Sequence, residues 1–188
     1  MNSTVKHFLC NSRITMDNND CLRRLRYILD LDDDAMGGIF SLAAHQSTRE
    51  EICNMLKKED DADYLECTDS TFTAFLDGLI IQKRGPKEDS TEAAQAGSKK
   101  RLTNNMIFRK LRIAFDLKAE DILSLLSQAD CQISKHELSA FFRKPDNRKY
   151  RECKDQILRN FLAGLQLKHR PGEDSTKAIW DKALASKP

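Results

Sequence analysis

The chain contains an internal repeat with an offset of 86 residues, and this repeat constrains the fold more than any other feature of the sequence. At that offset, residues 17–84 match residues 103–170 without a gap, and 22 of the 68 aligned positions are identical. A gapless match of this length indicates a duplicated structural unit, and two copies are too few for a long solenoid. The identical residues include Asn18, Asn19, Arg23, Arg26, Asp30, Tyr64, Cys67, Asp69, Gly78 and Arg84, each with a partner 86 residues later.

Apolar residues in each copy recur at helical spacing in four successive segments. Leu22, Leu25 and Ile28 mark the buried face of the first predicted helix. The third helix of each copy begins with a capping box, in which a hydroxyl and a carboxylate satisfy first-turn amides; these are Thr48-x-x-Glu51 and Ser134-x-x-Glu137. No segment alternates convincingly with a period of two. We therefore predict an all-α fold of two homologous four-helix units in tandem.

Changes in composition along the chain predict where its repeats, linker and tail begin and end. The segment GPKEDSTEAAQAGSKKR is rich in glycine, serine and mixed charges, as in a flexible linker between the units. After Pro171, the apolar spacing of Ile179, Trp180 and Leu184 predicts a short helix that docks on the core or binds a partner. The predicted parts are an N-terminal extension (1–15), acidic repeat 1 (16–84), the linker (85–101), basic repeat 2 (102–170) and a C-terminal tail (171–188).

The overall composition favours a globular binding protein over several other classes. Charged residues make up 32% and hydrophobic residues 40% of the chain, and no apolar run reaches the 18 or so residues of a membrane span. The opening residues lack the apolar block of a signal peptide, and the six cysteines form no CxxC pair. We expect a cytoplasmic protein with free thiols, no metal and no cofactor. The absence of phosphate-loop, HExxH and GxSxG motifs argues against an enzyme.

A short string, YLECTD at positions 64–69, returns as YRECKD at positions 150–155. The tyrosines are predicted to supply aromatic bulk in a loop, and the cysteines to fill small buried positions. Reactive thiols are the alternative for the cysteines. The aspartates stand before the fourth helix of each copy and are predicted to cap it. These residues are Tyr64, Cys67 and Asp69 in the first copy and Tyr150, Cys153 and Asp155 in the second.

Gly78 and Gly164 lie inside strongly helical apolar runs. Glycine is unfavourable in a helix interior, so each position needs a reason of its own. We expect a close helix crossing at both sites. Approach of a ligand to the backbone is the less favoured alternative.

Arginine and aspartate recur at helical spacing in the first helix of each copy. Arg26 and Asp30, like Arg112 and Asp116, stand four residues apart. This spacing predicts ion pairs along the exposed face of a helix.

The two copies differ in charge. Residues 17–84 contain 8 basic and 15 acidic residues, a net charge of −7, whereas residues 102–170 contain 14 basic and 8 acidic residues, a net charge of +6. Opposite charges predict attraction between the copies, within one chain or between two. They also predict that the basic copy binds an anionic partner.

Nucleic acid is one candidate for that anionic partner. The segments EDILSLLSQAD and SKHELSAFFRK, joined by a short turn, resemble a helix-turn-helix. Any antiparallel helix pair with a short loop gives a similar pattern. The candidate contact residues are Lys135, His136, Ser139, Arg143, Arg148 and Lys149.

The string NNDCLRRLRYILDLDDDAMGGIF, the repeated EC-x-D element and the repeated FL-x-GL-x-x-x-x-R element together resemble the YehS-like bacterial family, a duplicated helical domain of unknown function. The resemblance covers about Met16 to Arg170. Members of that family begin near Met16, which implies that residues 1–15 are an upstream start or an added segment. The resemblance supports the helical fold and the cytoplasmic location but implies no activity, cofactor or catalytic residue.

Together these features favour a cytoplasmic, non-catalytic binding or regulatory module that engages a protein partner or self-associates through its oppositely charged repeats. The alternative is a nucleic-acid-binding protein that uses the helix-turn-helix-like pair of repeat 2.

Overall fold

The helices of the first repeat begin at residues whose side chains accept hydrogen bonds from first-turn amides. In the computed structural model, which describes residues 16–86 and 101–171, Asp17 Oδ1 accepts from the amide of Asp20 at 2.6 Å. Asp32 does the same for the amide of Ala35 at 2.7 Å. Such a cap contributes about 1 kcal/mol to helix stability. The helices are α1 (Asn18–Leu29), α2 (Asp33–Leu42), α3 (Arg49–Leu56) and α4 (Asp69–Arg84).

The second repeat contains the same succession of helices. They are α5 (Asn104–Ala114), α6 (Ala119–Gln128), α7 (Lys135–Phe141) and α8 (Asp155–His169). No strand occurs between residues 16 and 86 or between residues 101 and 171. The predicted all-α fold with a duplicated four-helix unit is confirmed.

Both predicted capping boxes are present. Thr48 Oγ1 accepts from the amide of Glu51 at 3.2 Å, while the Glu51 carboxylate accepts from the amide of Thr48 at 2.8 Å. Ser134 and Glu137 exchange the same pair of bonds at the start of α7. Two first-turn amides are therefore satisfied at each helix start.

The prediction that Asp69 and Asp155 cap the fourth helix of each repeat is wrong. The N-cap of α4 is Thr68, whose hydroxyl accepts from the amide of Thr71 at 3.2 Å, and the N-cap of α8 is Lys154. Asp69 and Asp155 are the first helical residues, and their carboxylates point to partners elsewhere in the chain. A carboxylate in the first turn still interacts favourably with the helix dipole.

A close helix crossing accounts for the glycine in α4 and α8. A Cβ built on Gly78 would lie 1.8 Å from the carbonyl oxygen of Ile39 in α2, and one on Gly164 would lie 2.2 Å from that of Leu125 in α6. Ile39 and Leu125 are themselves equivalent positions of the repeat. Since backbone cannot yield as a flexible side chain does, α2 and α4, like α6 and α8, approach closely only because glycine lies between them.

The two repeats pack against each other reciprocally. Helix α4 of the first repeat packs on α5 of the second, and α8 of the second packs on α1 of the first. Each repeat therefore presents the same pair of helices to the other, as the subunits of a symmetric dimer do. The buried apolar side chains of both repeats form a single cluster, so the repeats share one hydrophobic core.

Three groups of predictions fall on residues outside the described ranges: the N-terminal extension (1–15), residues 87–100 of the linker, and the helix around Trp180. Within the described ranges, no helix combines the length and apolar character needed to cross a lipid bilayer.

Candidate functional site

A buried asparagine in each repeat shapes the loop that follows the third helix. Asn19 is 1% exposed, and its Nδ2 donates to the carbonyl oxygens of Met55 and Leu65, both at 2.8 Å. Its Oδ1 accepts from the amide of Cys67 at 2.9 Å. These three bonds tie both ends of the loop to α1. Asn105 makes the equivalent bonds to Phe141, Arg151 and Cys153.

The preceding asparagine links each loop to the start of the fourth helix. Asn18 Nδ2 donates to the carbonyl oxygen of Cys67 at 3.0 Å and to Asp69 Oδ1 at 2.9 Å. The second oxygen of Asp69 accepts from the amide of Leu102 in the other repeat at 2.9 Å. The aspartate therefore joins its own loop to the neighbouring repeat. Asn104, Asp155 and the amide of Met16 form the equivalent set.

The repeated cysteines are buried and protonated. Cys67 is 1% exposed and Cys153 is 0% exposed. Burial first, and then nearby acidic side chains, raises the pKa of each thiol to about 12. Burial also raises the pKa of Cys21, the third buried cysteine. A nucleophilic thiol needs the opposite shift, so these environments give the reactive-thiol alternative no support.

The two loops have the same backbone conformation. We name residues 57–66 the acidic loop and residues 143–152 the basic loop. The amide of Tyr64 donates to the carbonyl oxygen of Asp61 at 3.1 Å, and the amide of Tyr150 donates to that of Asn147 at 2.8 Å. Both tyrosines are half-buried. Each side chain of one loop therefore has a counterpart in a similar position on the other.

The two loops carry opposite charges on this shared backbone. The acidic loop has two basic and five acidic residues, a net charge of −3, and the basic loop has five basic and two acidic residues, a net charge of +3. The charge difference between the repeats is thus concentrated at equivalent surface positions.

The loops differ in how their first residue is paired. Lys57 Nζ lies 2.6 Å from Asp63 Oδ2 and 3.5 Å from Asp61 Oδ1. The hydrogen bond to Asp63 is the largest cause of the raised pKa of Lys57. In the basic loop, Arg143 takes the place of Lys57, while Asn147 and Lys149 replace the two aspartates. The acidic loop therefore supplies a carboxylate partner for its own cation, and the basic loop does not.

Arg143 has one polar atom without a hydrogen bond. Its Nε is buried and has no partner within residues 16–86 and 101–171, although the side chain as a whole is half-buried. A guanidinium group binds carboxylates and phosphates through such N–H groups. This N–H is closed off from solvent, so an oxyanion from outside the chain would meet the exposed part of the side chain and not Nε.

The predicted nucleic-acid contacts divide into two groups. Lys135, His136 and Ser139 are exposed on α7, whereas Arg148 and Lys149 are exposed in the basic loop with the half-buried Arg143. Lys135 Nζ already pairs with Glu120 Oε1 at 3.1 Å. Helix α7 has seven residues and is therefore about 10 Å long.

A groove of 420 Å³ lies near the C-terminal ends of α1, α4 and α8. Asp30, Lys83, His169 and Arg170 lie along it. Burial, followed by the positive charges of Lys168 and Lys83, lowers the pKa of His169. Basic residues at helix C-termini offset the partial negative charge of the last carbonyls. The groove is therefore explained as the seam between the repeats.

The described residues contain no group of three or more histidine, cysteine, aspartate or glutamate side chains placed to hold a metal ion.

The roles of Asn19 and Asn105 were not predicted from the sequence. The signal was present, because the dipeptide Asn-Asn opens the first helix of both repeats.

Comparison with known proteins places the repeat in a family. Residues 18–85 and residues 104–171 each match the family described as "Protein of unknown function (DUF1456)". The "Uncharacterized protein YehS" of Escherichia coli (strain K12) is 42% identical over 150 residues, which cover 80% of this chain and 94% of that protein. No solved structure matches the chain. The two matched regions begin 86 residues apart, as do the two copies of the internal repeat.

Proposed function

This chain belongs to the family described as "Protein of unknown function (DUF1456)", and we propose that it is a non-catalytic binding module that engages a protein partner through its basic loop. The resemblance to a YehS-like family inferred from the sequence is confirmed. The family description names no activity, so the proposal depends on the residues of this chain.

Arg143 carries the proposal. Its repeat-equivalent residue, Lys57, is paired with Asp61 and Asp63, but the basic loop has Asn147 and Lys149 at those two positions. Among the described residues no carboxylate pairs with Arg143, and a guanidinium group binds carboxylates of a protein partner. The basic loop therefore gains more from an external acidic group than the acidic loop gains from an external basic one.

The surroundings of Arg143 support an acidic partner. Arg148 and Lys149 are exposed in the same loop. Three bonds from the buried Asn105 anchor the loop backbone. A fixed backbone lowers the entropy that must be lost on binding. The protonated thiols of Cys67 and Cys153 fit a structural role better than a catalytic one.

The test is affinity capture from a nuclease-treated cell extract, quantified by mass spectrometry. The loop variant is Arg148→Gln/Lys149→Gln. Its matched control is Lys83→Gln/Lys168→Gln, which makes the same change in net charge at exposed positions outside the loop. We expect a partner that the unmodified protein and the control retain equally and that the loop variant loses at least tenfold. Equal retention by the loop variant would contradict the proposal.

Nucleic acid is the second candidate because Lys135 and His136 are also exposed, on the helix that precedes the basic loop. Binding to duplex DNA or RNA, measured by fluorescence anisotropy, would then weaken by several orders of magnitude between 50 and 200 mM salt. The variants Arg143→Glu, Arg148→Glu and Lys149→Glu would weaken it further. The pairing of Lys135 with Glu120 and the short length of α7 favour the protein partner over this alternative. Captured material that disappears on nuclease treatment would reverse that preference.

The proposed compartment is the cytoplasm. The five cysteines within the described ranges are all free thiols. A reducing compartment keeps thiols in this state.

A further inference from the structure

We propose that the acidic partner of the basic loop is a second copy of this chain, which contributes its acidic loop. This inference rests on the proposed function, because it names the partner of the same basic loop. The contact is head-to-tail, with repeat 1 of one molecule against repeat 2 of another.

The charges of the two loops balance. The net charge of −3 on the acidic loop equals in magnitude the net charge of +3 on the basic loop. Both loops have ten residues and the same backbone turn, so each presents its charges from a similarly folded segment. Complementary charge of this kind speeds encounter and selects the orientation of the partners.

Several charges of both loops are available to another molecule. Glu59, Asp60 and Glu66 are exposed and have no ion-pair partner among the described residues. Arg148 and Lys149 are exposed in the basic loop and have no such partner within the same ranges. These residues can therefore form new ion pairs without breaking existing ones.

In the described structure, the acidic loop and the basic loop of one molecule form no ion pair with each other. There the ion pairs of each loop are local: Lys57 pairs within the acidic loop, and Arg151 pairs with Glu137 of its own repeat. The contact between the repeats uses α1, α4, α5 and α8 instead. Each molecule thus offers one acidic and one basic loop to its neighbours.

The expected association is weak and depends on salt. Ion pairs between exposed side chains are worth at most about 1 kcal/mol each, and salt screens them. Sedimentation velocity at 50 mM salt should show species heavier than the 21.5 kDa chain. At 500 mM salt the dissociation constant should rise at least tenfold.

Charge reversal provides the decisive test. In the first variant, Glu59→Lys/Asp60→Lys, both loops are positive; in the second, Arg148→Glu/Lys149→Glu, both are negative. Each variant alone should be monomeric at 50 mM salt, and an equimolar mixture should associate again. Recovery in the mixture also shows that both variants are folded. The control Lys83→Glu/Lys168→Glu should associate as the unmodified protein does.

Three results would overturn the inference: an unmodified protein that stays monomeric at 50 mM salt, association that neither loop variant reduces, or a mixture that does not associate. The capture experiment separates this failure from failure of the proposed function. If the unmodified protein is monomeric but the loop variant still loses a captured partner, the partner is another protein. If the loop variant loses nothing, both proposals fail.

Discussion

Arg170 forms an ion pair with Asp30, which lies 140 residues earlier in the chain, and its guanidinium carbon lies 4.3 Å from the ring centroid of Tyr27. The repeat-equivalent pair, Arg84 and Asp116, is joined at 2.8 Å in the opposite direction, from repeat 1 to repeat 2. The identical arginines and aspartates of the two copies therefore act in trans. Each arginine holds the aspartate of the other repeat, as in a symmetric dimer.

The two ion pairs should differ in strength. The Arg170 side chain is 19% exposed and lies over an aromatic ring, whereas the Arg84 side chain is 46% exposed. Position 113, equivalent to that of Tyr27, holds isoleucine. We expect Arg170→Ala to lower the free energy of unfolding by about 1–1.5 kcal/mol and Arg84→Ala by less than about 0.5 kcal/mol. Urea titration followed by circular dichroism measures both, and equal losses would contradict the assigned role of Tyr27.

The glycines of α4 and α8 should not tolerate a methyl group. We expect Gly78→Ala and Gly164→Ala each to destabilise the fold by about 3 kcal/mol or more, because the added Cβ would overlap a backbone carbonyl of α2 or α6. Gly38→Ala is the matched control, since a Cβ there meets nothing within 4 Å. It should raise the free energy of unfolding by up to about 1 kcal/mol through helix propensity. If all three variants behaved alike in urea titration, steric exclusion at the crossings would be refuted.

Local features of the fold could be predicted from the sequence because their causes are local. The capping boxes at Thr48 and Ser134 depend on residues three positions apart, and the helical faces depend on apolar spacing. The predicted i to i+4 pair of Arg26 with Asp30 did not form. Instead, Arg26 forms an ion pair with Asp33 at 2.7 Å, and Asp30 forms one with Arg170. Sequence spacing shows which charges lie near each other on one helix, but not which distant side chain competes for them.

The charges of the candidate site could be predicted from the sequence, but the pairing of those charges could not. The opposite charges of residues 57–66 and 143–152 can be counted directly. The contrast between the paired Lys57 and the partly unpaired Arg143 depends on hydrogen-bond distances in two folded loops. Likewise, the sequence predicted that the Asp69 carboxylate caps its own helix. Its observed partner, the amide of Leu102, is 33 residues away and is not indicated by local spacing.

The buried asparagines should control the order of the loops. Asn105→Ala removes two donated bonds and one accepted bond, so we expect a loss of about 3 kcal/mol in the free energy of unfolding. We also expect faster amide exchange at Cys153, whose amide donates to Asn105. The first repeat is the internal control, because Cys67 keeps its bond to Asn19. Uniform acceleration of exchange at Cys67 and Cys153 would indicate global destabilisation instead of release of the basic loop.

The buried thiols should resist alkylation until the protein unfolds. With a pKa of about 12, Cys67 and Cys153 carry about one thiolate in ten thousand molecules at pH 8. We expect iodoacetamide to modify them at least 1000-fold more slowly in the native protein than in urea, as measured by mass spectrometry of peptides. Cys53 and Cys131 are half-buried and serve as controls that should react sooner.

The raised pKa values of Cys67 and Cys153 also predict how stability depends on pH. Because the folded pKa is raised above the ordinary value of 9.0, the Cys67 and Cys153 thiols stabilise the fold fully below pH 9 and progressively less between pH 9 and 12. The double variant Cys67→Ala/Cys153→Ala should therefore lose less free energy of unfolding between pH 9 and 12 than the unmodified protein does. Fast labelling of either cysteine in the native protein would contradict the structural role assigned to both.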